Sequence, residues 1–152
     1  MITLTEYIRE DYAEDLEEIR IQFKYIISNY FFKNKLIFNA SNIIFKRGIT
    51  SDEKAVGTIA VTDLMPRNRI RIRYDPNIDI YSDEFEKALI HELIHVYLAR
   101  KYPDKYGFDN VDYRHSHDGM FAKICKIIEK TYGEKIPETL WLKTLITILL
   151  IL

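Results

Sequence analysis

The stretch Ala88-Leu89-Ile90-His91-Glu92-Leu93-Ile94-His95-Val96-Tyr97-Leu98-Ala99 decides how the rest of the chain is read. It holds no Gly or Pro and is apolar on nearly every side, so it reads as a helix at the centre of a fold. Residues four apart share a helix face, which lets His91 and His95 turn two imidazoles toward one ion. Glu92 stands about 100° round from His91, placed to act on a group beside such an ion rather than to ligate it. Buried without partners, these three side chains would together cost several kcal/mol. A metal ion satisfies them. Ala88 and Ala99 lie near the same direction, and their small side chains are expected to leave room for an ion and a substrate.

The chain has four histidines, His91, His95, His115 and His117, all in one short window. A hydrolytic zinc takes three protein ligands and keeps a fourth position open. His115-Ser116-His117-Asp118 offers the third ligand, and Glu129 is a further candidate by residue type. Lys101, six positions after His95, excludes a ligand at that spacing. The single cysteine, Cys125, excludes both an intrachain disulfide and a cysteine-rich zinc ribbon. It falls on an apolar helical stripe and reads as a small core residue.

The flanks frame the central helix. Ser82 followed by Asp83, Glu84 and Glu86 is a helix start, and Arg100, Lys101 and Pro103 mark its end, giving a helix over 82–101. Upstream, residues 3–33 read as one long helix. It opens on a capping box of Thr3 and Glu6, with an apolar stripe of Leu4, Ile8, Tyr12, Leu16, Ile19, Phe23, Ile26 and Tyr30 and an acidic, solvated outer face. Between the two helices, 42–47, 55–61 and 69–74 read as strands, with 48–54 a turn-rich connection and 65–68 a break. Arg67, Arg69, Arg71 and Arg73 alternate with Ile70, Ile72 and Tyr74, so the arginines share one face of the third strand. That row reads as a solvated face, a phosphate-contacting ridge or a rim for acidic substrate segments. Downstream, 102–114 is a polar and aromatic loop. A second helix starts near 116–118, carries the stripe Phe121, Ile124, Cys125 and Ile128, and stops at Gly133.

Bulk properties bound the rest. A chain of 152 residues is expected to form one domain, and its net charge of −1 gives no global basic footprint for nucleic acid. The N-terminus, Met1-Ile2-Thr3-Leu4-Thr5-Glu6, lacks the basic-then-apolar pattern of a secretory signal. With the lone cysteine, this sets the expectation of a cytoplasmic protein. The last 13 residues, from Leu140 to Leu152, are apolar nearly all round. As a helix they reach only ~20 Å, short of the ~30 Å hydrocarbon core, so packing on this chain or on a copy of it is expected rather than a membrane span.

Two motifs together resemble a known family. His91-Glu92-Leu93-Ile94-His95, a loop, and then His117-Asp118-Gly119-Met120-Phe121 look like the SprT-like (Spartan-type) zinc metalloproteases. The resemblance implies one Zn2+ bound by His91, His95 and His117, with Phe121 a core residue that anchors the second helix. It implies an α+β fold: a long N-terminal helix, a small three- to four-stranded, mainly antiparallel sheet, the active-site helix and a following ligand helix. The activity implied is peptide-bond hydrolysis by zinc-activated water with Glu92 as general base, on protein or peptide substrates; the arginine row, if it flanks the cleft, extends these to acidic or DNA-associated proteins. A neighbouring donor for the oxyanion is required, and Tyr97, Tyr113 and His115 are candidates. Departures are the longer loop before His117, the extra His115 and the absence of the ribbon carried by some members. The alternative from another class is a catalytically silent, zinc-stabilised binding protein with chromosomal or viral partners.

Overall fold

The computed structural model describes residues 4–137, with side chains from Asp15 onward. The Thr3 and Glu6 capping box, the acidic side chains before Asp15 and the apolar tail from Leu140 lie outside the described residues. Within them the fold is α+β. Helix α1 spans Leu4–Ile26 and continues through a π-helical turn, Ile27–Phe31, and a 3-10 turn, Phe32–Asn34. Lys35, at a φ of 63°, stops it in the left-handed region. Of the expected stripe, Ile19 and Ile26 are buried and Leu16, Phe23 and Tyr30 half-buried; past Ile26 the π-helical turn brings Ile27 and Phe31 inward in place of Tyr30.

Strand β1 is Ile43–Arg47 and helix α2 is Ser51–Ala55. Strand β2 is Ala60–Met65 and strand β3 is Arg69–Tyr74. They form one mixed sheet in the order β1-β3-β2, with β1 parallel and β2 antiparallel to β3. The expected strand over 55–61 is therefore displaced, and the expected turn at 48–54 holds a helix. The reason is a capping box: Thr50 accepts from the Glu53 backbone N–H, and the Glu53 carboxylate accepts from that of Thr50. Gly57, at a φ of 82°, then turns the chain before β2 can begin. Met65 to Arg69 is a tight hairpin in which Arg67 and Asn68 both adopt positive φ.

Helix α3, Asp83–Lys101, starts on Ser82, whose hydroxyl accepts from the Phe85 N–H. Every residue from Ala88 to Ala99 is buried, so α3 is covered on all sides. Helix α4, Pro103–Tyr106, interrupts the expected loop over 102–114, with proline at the first turn where no donor is lost. Helix α5, Gly119–Tyr132, starts on Asp118 and ends on Gly133 at a φ of 86°. Its buried stripe is Phe121, Ile124, Cys125 and Ile128, as the spacing predicts. One hydrophobic core joins the inner faces of α1, the sheet, α3 and α5.

The arginine row is divided by the sheet. Arg67 sits in the hairpin turn and Arg69 is exposed at the start of β3. Arg71 and Arg73 face Asp63 on the neighbouring strand, at 2.9 and 2.7 Å. Arg73 also grips Glu53 through two parallel bonds of 2.8 and 2.9 Å, tying the start of α2 to the sheet. Those bonds bring the Glu53 carboxyl down from 4.5 to about 2. At Asp63 burial pushes upward, but the bonds from Arg73 and Arg71 outweigh it and hold the carboxyl below its ordinary value.

A folded-state pKa below the unfolded one stabilises fully above the unfolded value and is lost as pH falls through the folded one. Melting temperature is therefore expected to fall as pH is lowered from about 4.5 toward 2. Arg73→Met, which keeps an apolar stem, should flatten that limb and cost roughly 1–3 kcal/mol at neutral pH. Thermal denaturation across pH reads both effects.

Candidate metal centre

The site is built from the middle of α3 and the residue that precedes the N-cap of α5. His91 and His95, one turn apart on α3, are 3% and 5% exposed. His117 comes to them from the opposite side. Its Nε2 lies 3.1 Å from Nε2 of His95 and 3.1 Å from Nε2 of His91. Nitrogens ~2.0–2.1 Å from a tetrahedral zinc stand ~3.3 Å apart, so the three rings are arranged as ligands of one small ion. They form a cluster able to hold a metal.

Proton positions support the same conclusion. His91 Nδ1 is 2.6 Å from the Pro137 carbonyl oxygen, which can only accept, so Nδ1 carries the hydrogen. That leaves a lone pair on His91 Nε2, directed at the cluster, as a carbonyl behind a ligating histidine normally arranges. One N–H on His117 can point at only one of its two 3.1 Å neighbours, whereas a cation accepts all three lone pairs. Burial brings the His91 imidazole down to about 4 and lowers that of His95 too, so both are neutral at pH 7 as ligation requires.

Two devices outside the ligands fix the geometry. Phe121, fully buried, lays its ring against all three imidazoles, with centroids 4.9, 4.7 and 4.9 Å from His91, His95 and His117. The expected anchor of the second helix is thus also the apolar wall behind the ligands. Asp118 caps α5 by accepting from the Phe121 N–H and accepts a 2.6 Å bond from the Tyr106 hydroxyl of α4. These bonds hold the residue next to His117 from both sides.

Glu92 is 5% exposed, and its carboxylate accepts a 2.6 Å bond from the Thr62 hydroxyl on β2. Burial pushes its carboxyl up to about 8, with the Thr62 bond acting in the opposite direction. A divalent cation on the adjoining histidines would also draw it down. Thr62 went unnoticed in the sequence because the second strand was placed too early. With β2 at Ala60–Met65, Thr62 is the one polar side chain between inward-facing Ala60 and Leu64.

The histidines and Glu92 open into a cleft of about 370 Å³, walled by β2 and its approach from Val56 to Thr62. His115 also lines it, with its ring centroid 6.2 Å from that of His95. Burial lowers its pKa as well.

The other sequence candidates lie elsewhere. Tyr97, about 200° round the helix from His95, packs in an aromatic cluster with Phe31 and Phe38, at 6.3 and 5.6 Å. Tyr113 is exposed, beside Lys105. The Glu129 carboxylate accepts from the Ile136 N–H, far along α5 from the cluster. Neither Ala88 nor Ala99 lines the cleft, whose room comes instead from small residues on and before β2. None of Arg67, Arg69, Arg71 and Arg73 lines it either.

Comparisons with protein-family models, curated proteins and solved structures find no match to this chain.

The purified chain is expected to bind one divalent ion and to melt at higher temperature with it, since a ligand selective for the folded state stabilises by mass action. His117→Ala should weaken metal affinity by at least about a hundredfold. Metal titration and calorimetry with and without a chelator measure both.

Proposed function

We propose that this protein is a zinc-dependent metallopeptidase of the HExxH type. The observation that carries the reading is the Glu92 carboxylate in the same cleft as three converging imidazole nitrogens. A merely structural metal site has no use for a buried carboxylate that does not ligate. An all-nitrogen set of three histidines suits zinc and leaves a coordination position open.

A zinc ion held there supplies a Lewis acid that makes water a nucleophile near neutral pH and polarises a carbonyl. Glu92 then serves as general base: it takes the proton of the attacking water and returns it to the leaving amine nitrogen. Thr62 holds the carboxylate in place through the 2.6 Å bond. His115, at the edge of the cleft, is the donor for the developing oxyanion, since Tyr97 and Tyr113 lie away from it. Among the described residues β2 pairs only with β3, so its other edge can take an extended peptide by strand addition beside the histidines. Peptide bonds are thus the substrate class best supported. The SprT-like resemblance of the two motifs agrees with this reading; DNA-associated proteins as targets depend on the arginine row, which does not line the cleft.

Glu92→Gln should retain the metal and lose cleavage of unstructured protein substrates such as casein, by about a thousandfold or more. Metal retention with unchanged, absent cleavage in both proteins across many substrates would favour a silent zinc-stabilised binding protein instead. Thr62→Val should lower kcat roughly tenfold, the kinetic equivalent of about 1.4 kcal/mol, with Thr62→Ser restoring it.

A further inference from the structure

A second and larger cavity, of about 560 Å³, lies toward the C-terminal ends of β2 and α3, where Leu64, Met65, Ala99 and Arg100 line it. Buried Leu64, Ile70 and Ala99 form its floor, and Arg67, Arg69 and Arg100 stand around it. Among the described residues Asp109 is the only acid in the lining, so three guanidiniums face one carboxylate. Among the described residues, none of the three arginines has an ion-pair partner. Arg100 bonds only carbonyls, those of Asn39, Ser41 and Asn68, at 2.9, 2.8 and 3.0 Å, and its Nε is buried without a partner. Arg69 Nε likewise donates to the Pro66 carbonyl. Carbonyls satisfy donors but leave the charge in place.

The cavity and the metal cleft share no lining residue, but β2 and α3 contribute to both. Thr62, which bonds Glu92, and Leu64, in the cavity floor, share one face of β2, about 7 Å apart along the strand. His95 and Ala99 share one face of α3, about 6 Å apart. Both elements lead from the histidines to the arginines in the same direction. An extended peptide rises ~3.3 Å per residue, which sets the cavity floor about two residues from a bond held at Glu92, with the arginines at its rim.

We propose that this cavity is a specificity site for an acidic side chain of the peptide substrate, two or three residues from the cleaved bond. The assignment rests on the peptidase reading for the word substrate; the charge and the apolar floor stand independently of it. A polynucleotide fits less well. Nucleic acid affinity grows with the number of phosphates neutralised along a track. Here the row that would extend the track is cut off, because Arg71 and Arg73 are neutralised by Asp63 and Glu53. Two exposed arginines over an apolar floor suit one carboxylate and its methylene stem.

The test uses zinc-loaded Glu92→Gln protein, so that nothing is consumed, and two fluorescein-labelled decapeptide pools, random except for one fixed Glu or one fixed Gln. The Glu pool is expected to bind about tenfold tighter, with the advantage shrinking in high salt. Adding Arg67→Asn and Arg69→Gln should abolish the difference; asparagine tolerates the positive φ at position 67, and the wild-type melting temperature should persist. Arg69→Glu alone, which leaves two guanidiniums against two carboxylates in the lining, should likewise remove the Glu preference. In parallel, wild-type cleavage of a peptide library should enrich Asp and Glu at one position two or three residues from the cut. Equal affinity for the two pools, or a Glu preference that survives the double substitution, overturns the proposal. So does a single-stranded 20-nucleotide probe that outcompetes the Glu pool and loses its affinity in the double variant. A Glu preference abolished by the double substitution, with no cleavage by the wild type, supports the acidic site and sinks the peptidase reading alone.

Discussion

Water removal from two imidazoles and a carboxylate is the constraint on which this structure depends. Helix α3 is buried on every side from Ala88 to Ala99, so His91, Glu92 and His95 cannot reach bulk solvent as surface groups would. Each must find a partner inside, because an unpaired polar group in such a place costs more than a typical core contact returns. The surrounding elements are arranged to supply those partners. The Pro137 carbonyl takes the His91 Nδ1 proton, Thr62 on β2 bonds Glu92, and His117 closes on both ring nitrogens from the start of α5. What is left over is three Nε2 atoms facing one point, a set that a cation completes.

The supports reach well beyond α3. Tyr106 of α4 and the Asp118 cap set where His117 stands, while Phe121 forbids the rings from collapsing into the core. β2 fixes Glu92, and β2 is itself placed by the Thr50–Glu53 capping box and the turn at Gly57. Glu53 then reaches Arg73, so the cap that delays β2 also locks it to β3 through the Arg73–Asp63 pair. A short helix invisible to hydrophobic periodicity thus governs which residue faces Glu92.

The arginines show how the same residue type divides by environment. Arg71 sits opposite Asp63 in register and Arg73 reaches it diagonally, so their charge goes into joining strands. Arg67 and Arg69, one hairpin away, have no such register partner, and with Arg100 they gather around a cavity instead. In the proposed reading this division sets substrate preference: a continuous basic ridge would favour polyanions, whereas a short basic rim beside a metal cleft favours a single acidic side chain.

Local pattern alone determined the long N-terminal helix, β3, the span and caps of α3 and the start and stop of α5. Each is written in apolar periodicity and in capping residues that act within a few positions of themselves. The pair His91 and His95 was equally legible, since helical spacing alone puts them together. Residue type offered His115 and His117 alike as a third ligand and only the resemblance chose His117, for no local rule carries a loop across 22 positions; tertiary structure brought it within 3.1 Å. Structure alone decided the position of β2, and with it Thr62, because a capping box outweighed strand propensity in the stretch before Ala60. It alone removed Tyr97 from the site, excluded the arginine row from the metal cleft and assembled the second basic cavity. Helix and strand periods tell which way a side chain points on its own element; which neighbour it then meets depends on how the elements pack.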